Sequence, residues 1–338
     1  MVKQAGSGTP SAELIADAFG MGSATGPLVP RHSSQENWRL DTSSGPILVK
    51  RFWSGEDPSW RPDLELAMEF EGMALDAGID MPQPIRPRHP AFGAAARIEG
   101  HGVFRAYPFL EHRPLEPGDD VSSWLGTTLA RVHGLHRLAK TPLPNWWYGQ
   151  LPPVPPERWG QWLEEGRAQG RAWVDSLDRR LSLVLDISRR VLETFATCGP
   201  HVLTHRDVEP WNVLVTGSGP VLVDWDTSGP DSAPLEAAYV ITTFARRGRD
   251  RPDPDEVSRT LDAYSAAGGE IPSRPDILAR HLGGELASLS DWIEATLGRE
   301  RYRPLDPEET DARVIRNLDR LPALAEEAWS SAALFGPR

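Results

Sequence analysis

Residues Thr204 to Val215, THRDVEPWNVLV, constrain this chain more than any other stretch. Four ionisable side chains, His205, Arg206, Asp207 and Glu209, stand just before the apolar run Val213-Leu214-Val215. The turn Thr216-Gly217-Ser218-Gly219 follows, and then a second apolar run, PVLVDWD, which closes on Asp224 and Asp226. Two short apolar runs around a glycine-containing turn read as a hairpin. A hairpin returns the chain to its start. Asn212 and Asp224 are therefore expected at one end of it, with Asp207 in the loop that leads in. Charges beside strands that bury on folding are costly unless they find partners or do chemistry. The plain alternative is that Asp207 caps a turn while Asn212 and Asp224 merely bound strands.

The oxygen donors of this stretch suit a hard cation. Mg²⁺ takes carboxylate, amide and water oxygens and leaves positions open for phosphate groups. Asn212 and Asp224 supply such oxygens. Asp207 is then left to accept a proton from an attacking hydroxyl.

The rest of the chain alternates in period. SAELIADAFG reads as a helix capped by Ser11 and stopped by Gly20. GMGSATGP has the glycines of a dinucleotide fingerprint, but it follows a helix and opens none, so it reads as a flexible connector. NWRLDT and ILVKRF read as strands about a turn at Ser43 to Pro46, with Lys50 near the end of the second. LELAMEFEGMALDAG has helical spacing and stops at Gly78. RIEG and HGVFRAYPFLEH read as another strand pair running into a linker near Glu111 to Pro117. SSWLGTTLARVHGLHRL is an amphipathic helix with Leu125, Leu129, Val132 and Leu135 or His136 on one face. His133 and His136 on it have no third partner in view and read as packing groups. NWWYGQLPPVPPERW is a proline-rich loop; helices follow around 157–175 and 177–197, and again from Pro234 to roughly residue 330. The fold class is α+β, with residues 1–110 as a strand-rich N-terminal lobe and 111–338 as a mainly helical C-terminal lobe.

HRDVEPWN resembles the H-x-D-x-x-x-x-N catalytic loop of protein-kinase-like phosphotransferases, and DWD occupies the place of their metal-binding D-F-G. Asp-Trp at that place, and WLGTTLARVHGL after the linker, resemble the aminoglycoside phosphotransferase and choline kinase branch. ILVKRF is similar to the strand that carries the phosphate-binding lysine. The resemblance spans residues 28–245. It implies a two-lobed protein-kinase-like fold and transfer of the γ-phosphate of ATP, with Mg²⁺, to a hydroxyl. It implies Asp207 as the catalytic base, Asn212 and Asp224 as Mg²⁺ ligands, and Lys50 on the α- and β-phosphates. Glu71 is implied as the lysine's partner, with Glu69 the other candidate. His205 is implied to brace the loop. The nucleotide base is expected along RAYPFLE, with Tyr107 and Phe109; GTP stays open beside ATP. Two departures stand out. The segment RHSSQEN lacks the glycines of a phosphate cover, so Ser33 and Ser34 are expected to substitute. PLEAAYV puts Glu236 where the branch usually has Asp, one methylene longer, to brace the loop.

A net charge of −12 argues against general nucleic-acid binding and suits a cationic partner, although solubility alone accounts for such acidity. No apolar run approaches a membrane span, the N-terminus shows no h-region, and the single Cys198 permits no intrachain disulfide. Together these favour a cytoplasmic protein with neither a nucleic-acid nor a membrane partner. The expected acceptor is a small hydroxyl-bearing molecule, cationic in the favoured case: an aminoglycoside-type antibiotic or an amino sugar. Glu209, Asp226 and Asp231 are candidates to meet its charge. Trp211 or the Trp146 to Tyr148 cluster could stack on a ring. The alternatives are a kinase acting on Ser or Thr of a peptide in natural-product maturation and a catalytically inactive nucleotide-gated binding module. The intact set of Lys50, Asp207, Asn212 and Asp224 speaks against the last.

Overall fold

The computed structural model describes residues 8–31, 36–52, 61–135, 155–198, 201–299 and 307–336. In chain order the elements are α1 (Ala12–Ala18), β1 (Val29–Arg31), β2 (Glu36–Thr42), β3 (Gly45–Phe52), α2 (Arg61–Asp76), β4 (Ala96–Ile98), β5 (Gly102–Pro108), β6 (His112–Pro114), α3 (Ser122–His133), α4 (Pro156–Gln169), α5 (Val174–Thr197), β7 (Val202–Thr204), β8 (Val213–Thr216), β9 (Gly219–Leu222), β10 (Gly229–Asp231), α6 (Ala233–Ala245), α7 (Pro254–Ala266), α8 (Ala279–Thr296) and α9 (Pro307–Ser331). They form two compact units. One comprises the chain up to Leu115 with Trp211–Ser228; the other comprises Glu116–Pro210 and the chain from Gly229 onward. The hairpin thus counts with the first unit by its contacts, although in sequence it falls within 111–338.

The first unit is strand-rich. Its main sheet runs β1-β2-β3-β5-β4 with every neighbouring pair antiparallel. Successive side chains of a strand point to opposite faces. Trp38, Leu40, Ile47, Val49, Phe104 and Ala106 therefore share one face, which α1 covers with Ile15, Ala16 and Phe19. Ser11 caps α1 as expected, its hydroxyl accepting from Leu14 N–H at 3.2 Å. The alternate residues Lys50, Arg105 and Tyr107 belong to the opposite face. There Lys50 and Arg105 are direct partners across β3 and β5.

Two expectations in this unit change. GMGSATGP is not a flexible connector: Thr25 N–H donates to Asp41 O and Ser43 N–H to Ser23 O, both at 2.9 Å, so the β2–β3 hairpin fixes its backbone. The linker near Glu111 contains a short strand, β6, which extends the predicted hairpin into a sheet of order β6-β8-β9. Three exposed residues ending in proline carry no period to read.

The second unit is mainly helical, with one two-stranded ribbon of β7 and β10. In α3 the side chains of Leu125, Leu129 and Val132 are buried as expected. The helix ends at His133, so Leu135 lies beyond it and His136 lies outside the described residues. The helix expected to reach residue 175 stops at Gly170, which takes a left-handed φ of 65°. Among the described residues no helix is long and apolar enough to cross a membrane.

Close packing of α3 on α7 requires a glycine. A Cβ at position 126 would lie 2.3 Å from the carbonyl oxygen of Thr260 and 2.7 Å from the backbone nitrogen of Tyr264. Neither backbone atom can swing aside. Gly126→Ala is expected to lower the unfolding free energy by about 1–3 kcal/mol, seen as a lower urea midpoint. Gly160→Ala, where the added methyl meets open space, should change it by less than about 1 kcal/mol.

Candidate active site

In the first unit the site grows from the face of the sheet that carries Lys50. Both Lys50 and Arg105 are buried, and two like charges side by side on adjacent strands require carboxylates close by. Three are provided. Lys50 Nζ pairs with both Asp224 and Asp226. Arg105 spans Asp226, at 2.7 Å, and Glu71 on α2. The Tyr107 hydroxyl donates to the other oxygen of Glu71 at 3.0 Å. Burial by itself would lower the Lys50 ammonium, but Asp224 and Asp226 outweigh it and hold the group above its ordinary pKa. Burial likewise pushes Asp226 up, and Lys50 and Arg105 overcome this to hold it below the usual carboxylate range.

The pairing differs from expectation in one respect. Glu71 meets Arg105 and Tyr107, not Lys50, and Glu69 is an exposed residue of α2. The physical reason is Arg105 itself. It lies opposite Lys50 in register, and its planar fork can hold two carboxylates at once. No sequence motif marks this residue; only the strand pairing exposes it.

The hairpin behaves as its turn predicts. Val213 pairs with Leu222, and the carbonyl of Asn212 accepts from Val223 N–H at 2.9 Å, so Asn212 and the chain entering Asp224 share one end. Asn212 is buried. Asp224 adopts a left-handed backbone, φ 70° and ψ 57°, and keeps its side chain 33% exposed, against 2% for Asp226. Trp225 between them is buried and packs on Phe70 of α2 at a ring separation of 6.1 Å. One carboxylate and one carboxamide are hard donors that fit Mg²⁺, which draws its remaining ligands from water and phosphates. Among the described residues no group of three or more His, Cys, Asp or Glu is gathered as a metal centre. A metal here would rest on those two protein oxygens.

Asp226, expected to meet the acceptor, is instead buried between Lys50 and Arg105, because its 3₁₀ turn points it inward beside Trp225. Tyr107 turns its hydroxyl to Glu71 rather than offering its side chain to a nucleotide base. Phe109 is half-buried under the guanidinium groups of Arg39 and Arg31, at 4.5 and 5.4 Å, and its N–H donates to Pro46 O at 3.0 Å. Pro108 has no N–H to donate. The segment's backbone donors at these two positions are therefore not available to a base. Trp211 is 70% exposed. Ser33 and Ser34, and the Trp146 to Tyr148 cluster, lie outside the described residues.

In the second unit the loop from His205 to Glu209 leaves β7, which β10 holds through the pairs Thr204–Gly229 and Asp231–Val202. Arg206 has a φ of 67°, an uncommon conformation for a side chain of its size. Its backbone is fixed from both directions. The N–H donates to Glu236 Oε1 at 2.6 Å, and the carbonyl accepts from Arg280 Nη2 at 2.7 Å. Arg280 also donates through Nε to Asp231 at 2.8 Å. Asp231, another candidate for the acceptor, is thus a buried partner of Arg280. The second oxygen of Glu236 accepts from His133 Nε2 at 2.8 Å, and His133 Nδ1 lies 2.9 Å from the Tyr264 hydroxyl. His133 is a packing and hydrogen-bonding group of this bracket.

Asp207, next in the chain, is half-buried. Its N–H donates to His205 Nδ1 at 3.3 Å, and its carbonyl accepts from Glu209 N–H at 3.0 Å. Glu209 is buried and accepts from the Tyr239 hydroxyl. Burial is the chief reason its pKa rises to about 7; Asp207 nearby adds to the rise, while Tyr239 and Arg280 oppose it. Arg280, the residue tying this region together, carries no sequence signal. The ribbon was equally hidden, since Gly-Pro-Asp is not a strand pattern.

The sequence profile of the phosphotransferase enzyme family (APH) matches residues 27–278. No curated protein matches the chain in sequence. Several solved structures share its fold. Spectinomycin phosphotransferase APH(9)-Ia, in complex with ADP and spectinomycin, is 16% identical, with a TM-score of 0.58 over 92% of this chain and 97% of that one. Amicoumacin kinase hAmiN, in complex with AMP-PNP, Ca²⁺ and Ami, is 12% identical, with a TM-score of 0.60 over 88% of each chain. A choline/ethanolamine kinase family protein from Mesorhizobium loti is 16% identical, with a TM-score of 0.55 over 92% of this chain and 93% of that one. The fold is α+β and kinase-like. The chain belongs to the phosphotransferase enzyme family, and its fold is similar to those of an aminoglycoside-type phosphotransferase and a choline/ethanolamine kinase family protein.

The bracket around Arg206 has a measurable acid signature. Burial would raise Glu236, but the His133 hydrogen bond and charge, with Arg280, bring it down to about 2 from an ordinary 4.5. A carboxylate depressed in the folded state contributes fully above its unfolded pKa and loses that contribution as pH falls through the folded value. Glu236→Gln is therefore expected to destabilise the protein at neutral pH. It should also flatten the loss of stability between roughly pH 4.5 and 2, a difference on the order of 3 kcal/mol. Urea unfolding across that pH range reads both effects.

Proposed function

We propose that the protein transfers the γ-phosphate of ATP, with GTP an open second donor, to a hydroxyl of a small cationic molecule of the aminoglycoside-type antibiotic or amino-sugar class. The observation that carries the proposal is the buried Lys50 paired to Asp224 at the end of a hairpin whose other strand opens at Asn212, within a chain of this phosphotransferase family. The nucleotides seen in the spectinomycin and amicoumacin enzymes, and the divalent ion in the latter, support a nucleotide and a metal here.

In this reading Lys50 binds the phosphates. Asn212 and Asp224 would hold Mg²⁺, which when bound would neutralise phosphate charge. The acceptor oxygen attacks the γ-phosphorus as the bond to the β-phosphate oxygen breaks, and the nucleoside diphosphate leaves. The acceptor's proton passes to the Asp207 carboxylate. Glu236 and Arg280 act on this step only by holding the Arg206 backbone, and with it the position of Asp207. Glu209 gives one oxygen to Tyr239 and leaves the other for an ammonium of the acceptor.

The direct test is a screen of hydroxyl-bearing amines with Mg²⁺ and ATP, scored by the mass gain of one phosphate and by ADP release. No phosphorylated product from antibiotics, amino sugars or amino alcohols, with turnover on a seryl peptide instead, would replace the small-molecule acceptor by a peptide. Asp207→Asn keeps size and polarity but cannot take the proton. Its turnover is expected to fall roughly 10²–10⁴-fold while Mg²⁺-nucleotide binding, measured by calorimetry, persists.

Glu209 adds a pH dependence. It becomes a carboxylate as pH rises through about 7. The KM of a permanently charged acceptor is therefore expected to fall across that value, and kcat should change less. Glu209→Gln should remove this pH dependence. A KM that ignores both pH and the substitution would leave Glu209 as a packing group and point to a neutral acceptor.

A further inference from the structure

We infer that Arg105 is a positioning residue of the nucleotide and metal site: by occupying Glu71 it leaves Lys50 as the counter-ion of Asp224, and a metal reaches Asp224 by displacing that ammonium. The inference rests on Lys50, Asn212 and Asp224 being the nucleotide and metal groups.

Three observations carry it. The first is register. Arg105 stands directly opposite Lys50 across β3 and β5, so both cations draw on the same carboxylates. The second is the division of those carboxylates. Arg105 holds Glu71 and one oxygen of Asp226, and Lys50 holds the other oxygen of Asp226 together with Asp224. Two cations thus face three carboxylates. The guanidinium takes the inner positions because its planar fork aims donors in fixed directions at two carboxylates at once. The third is exposure. Arg105, Glu71 and Asp226 are almost wholly buried, whereas the Asp224 side chain is 33% exposed. Of the three carboxylates, only Asp224 is open to an ion arriving from solution, and its present partner is Lys50.

Metal and ammonium therefore compete for Asp224, a divalent ion being the stronger charge at a shared carboxylate. Asp226 does not move in this exchange, because Arg105 fixes it. The displaced Lys50 keeps one carboxylate and so remains at the site, with its charge turned to phosphate.

The exchange predicts opposite signs for two ligands, which a purely structural role would not give. Mn²⁺ alone can be titrated against the full-length protein, with free ion counted by electron paramagnetic resonance. Mg²⁺·AMP-PNP can be titrated by calorimetry. Lys50→Met is expected to bind Mn²⁺ alone roughly three- to tenfold more tightly than the parent, and Mg²⁺·AMP-PNP roughly tenfold or more weakly. Arg105→Gln should also tighten Mn²⁺, because Lys50 turns to the vacated Glu71. Adding Lys50→Met to Arg105→Gln should then give no further gain, whereas simple charge removal would make the two effects add.

Arg105→Gln strands buried carboxylates and could fail to fold. The double variant Glu71→Gln/Arg105→Gln exchanges the ion pair for two amides and provides the second arm. With neither charge present Lys50 has no reason to leave Asp224, so Mn²⁺ affinity should return to the parent value. Additive effects, or a Lys50→Met protein that binds Mn²⁺ no better than the parent, overturn the inference while the nucleotide site stands. A parent that binds neither Mn²⁺ nor Mg²⁺·AMP-PNP overturns the nucleotide site itself, and the inference with it.

Discussion

A guanidinium stripped of water has to be met by carboxylates, and in the first unit Arg105 decides where those carboxylates stand. It draws Glu71 from α2 and Asp226 from the turn after β9 onto one face of the sheet. Breaking such a buried pair by removing one partner typically costs about 3–5 kcal/mol, because the remaining charge is left without water or a counter-ion. Helix, sheet and hairpin end are therefore tied at one point. That point is next to Lys50, so the tie orders the group proposed to hold phosphate. A network of this kind is weak evidence for stability, since a well-packed apolar core of the same volume can be as stable. Its persistence beside a solvent-open carboxylate is easier to understand as positioning.

The second unit solves a different problem by the same means. Arg206 has a left-handed backbone, which for a non-glycine residue costs on the order of 1–3 kcal/mol and persists only when its surroundings over-determine it. Here they do. A carboxylate from α6 takes the N–H and a guanidinium from α8 takes the carbonyl. Glu236 can do this because it is bidentate: one oxygen reaches the loop and the other reaches His133 on α3. The extra methylene relative to Asp is accommodated in this two-sided bridge. Arg280 closes the bracket from the other side, and its guanidinium also stacks over the Tyr239 ring at 4.8 Å, the tyrosine that hydrogen-bonds Glu209. The backbone ahead of Asp207 and the environment of Glu209 thus share one arginine.

What was legible in the sequence follows from how local each signal is. The β2–β3 pair, the β8–β9 hairpin, α1 with its Ser11 cap and the buried face of α3 are encoded within ten or so residues. Period, turn chemistry and capping recover them. The same locality placed Asn212 and Asp224 at one end of the hairpin. Pairings between distant segments were not legible. Lys50 could be recognised on its strand, but its partners depended on Arg105, fifty-five positions later and opposite it only after the sheet forms. Asp231 and Asp226 looked like acid groups available to a ligand. Each is buried against an arginine that no motif marks. The short strands β6, β7 and β10 have three residues each and exist only because a partner strand lies alongside.

The Asp-Trp-Asp run shows how little the letters say by themselves. Two identical side chains, two residues apart, face opposite conditions. The left-handed conformation at Asp224 starts a 3₁₀ turn, Trp225 is drawn down onto Phe70, and Asp226 is carried in behind it. The buried indole thereby separates an inner carboxylate, neutralised by two protein cations, from an outer one that shares a single ammonium. An inner acid so fully paired has no reason to bind a soluble ion. The outer acid, with a single ammonium as partner and a third of its side chain exposed, is the one proposed to meet a metal. The division of labour between the two aspartates lies in the backbone angle at Asp224 and in the tryptophan between them.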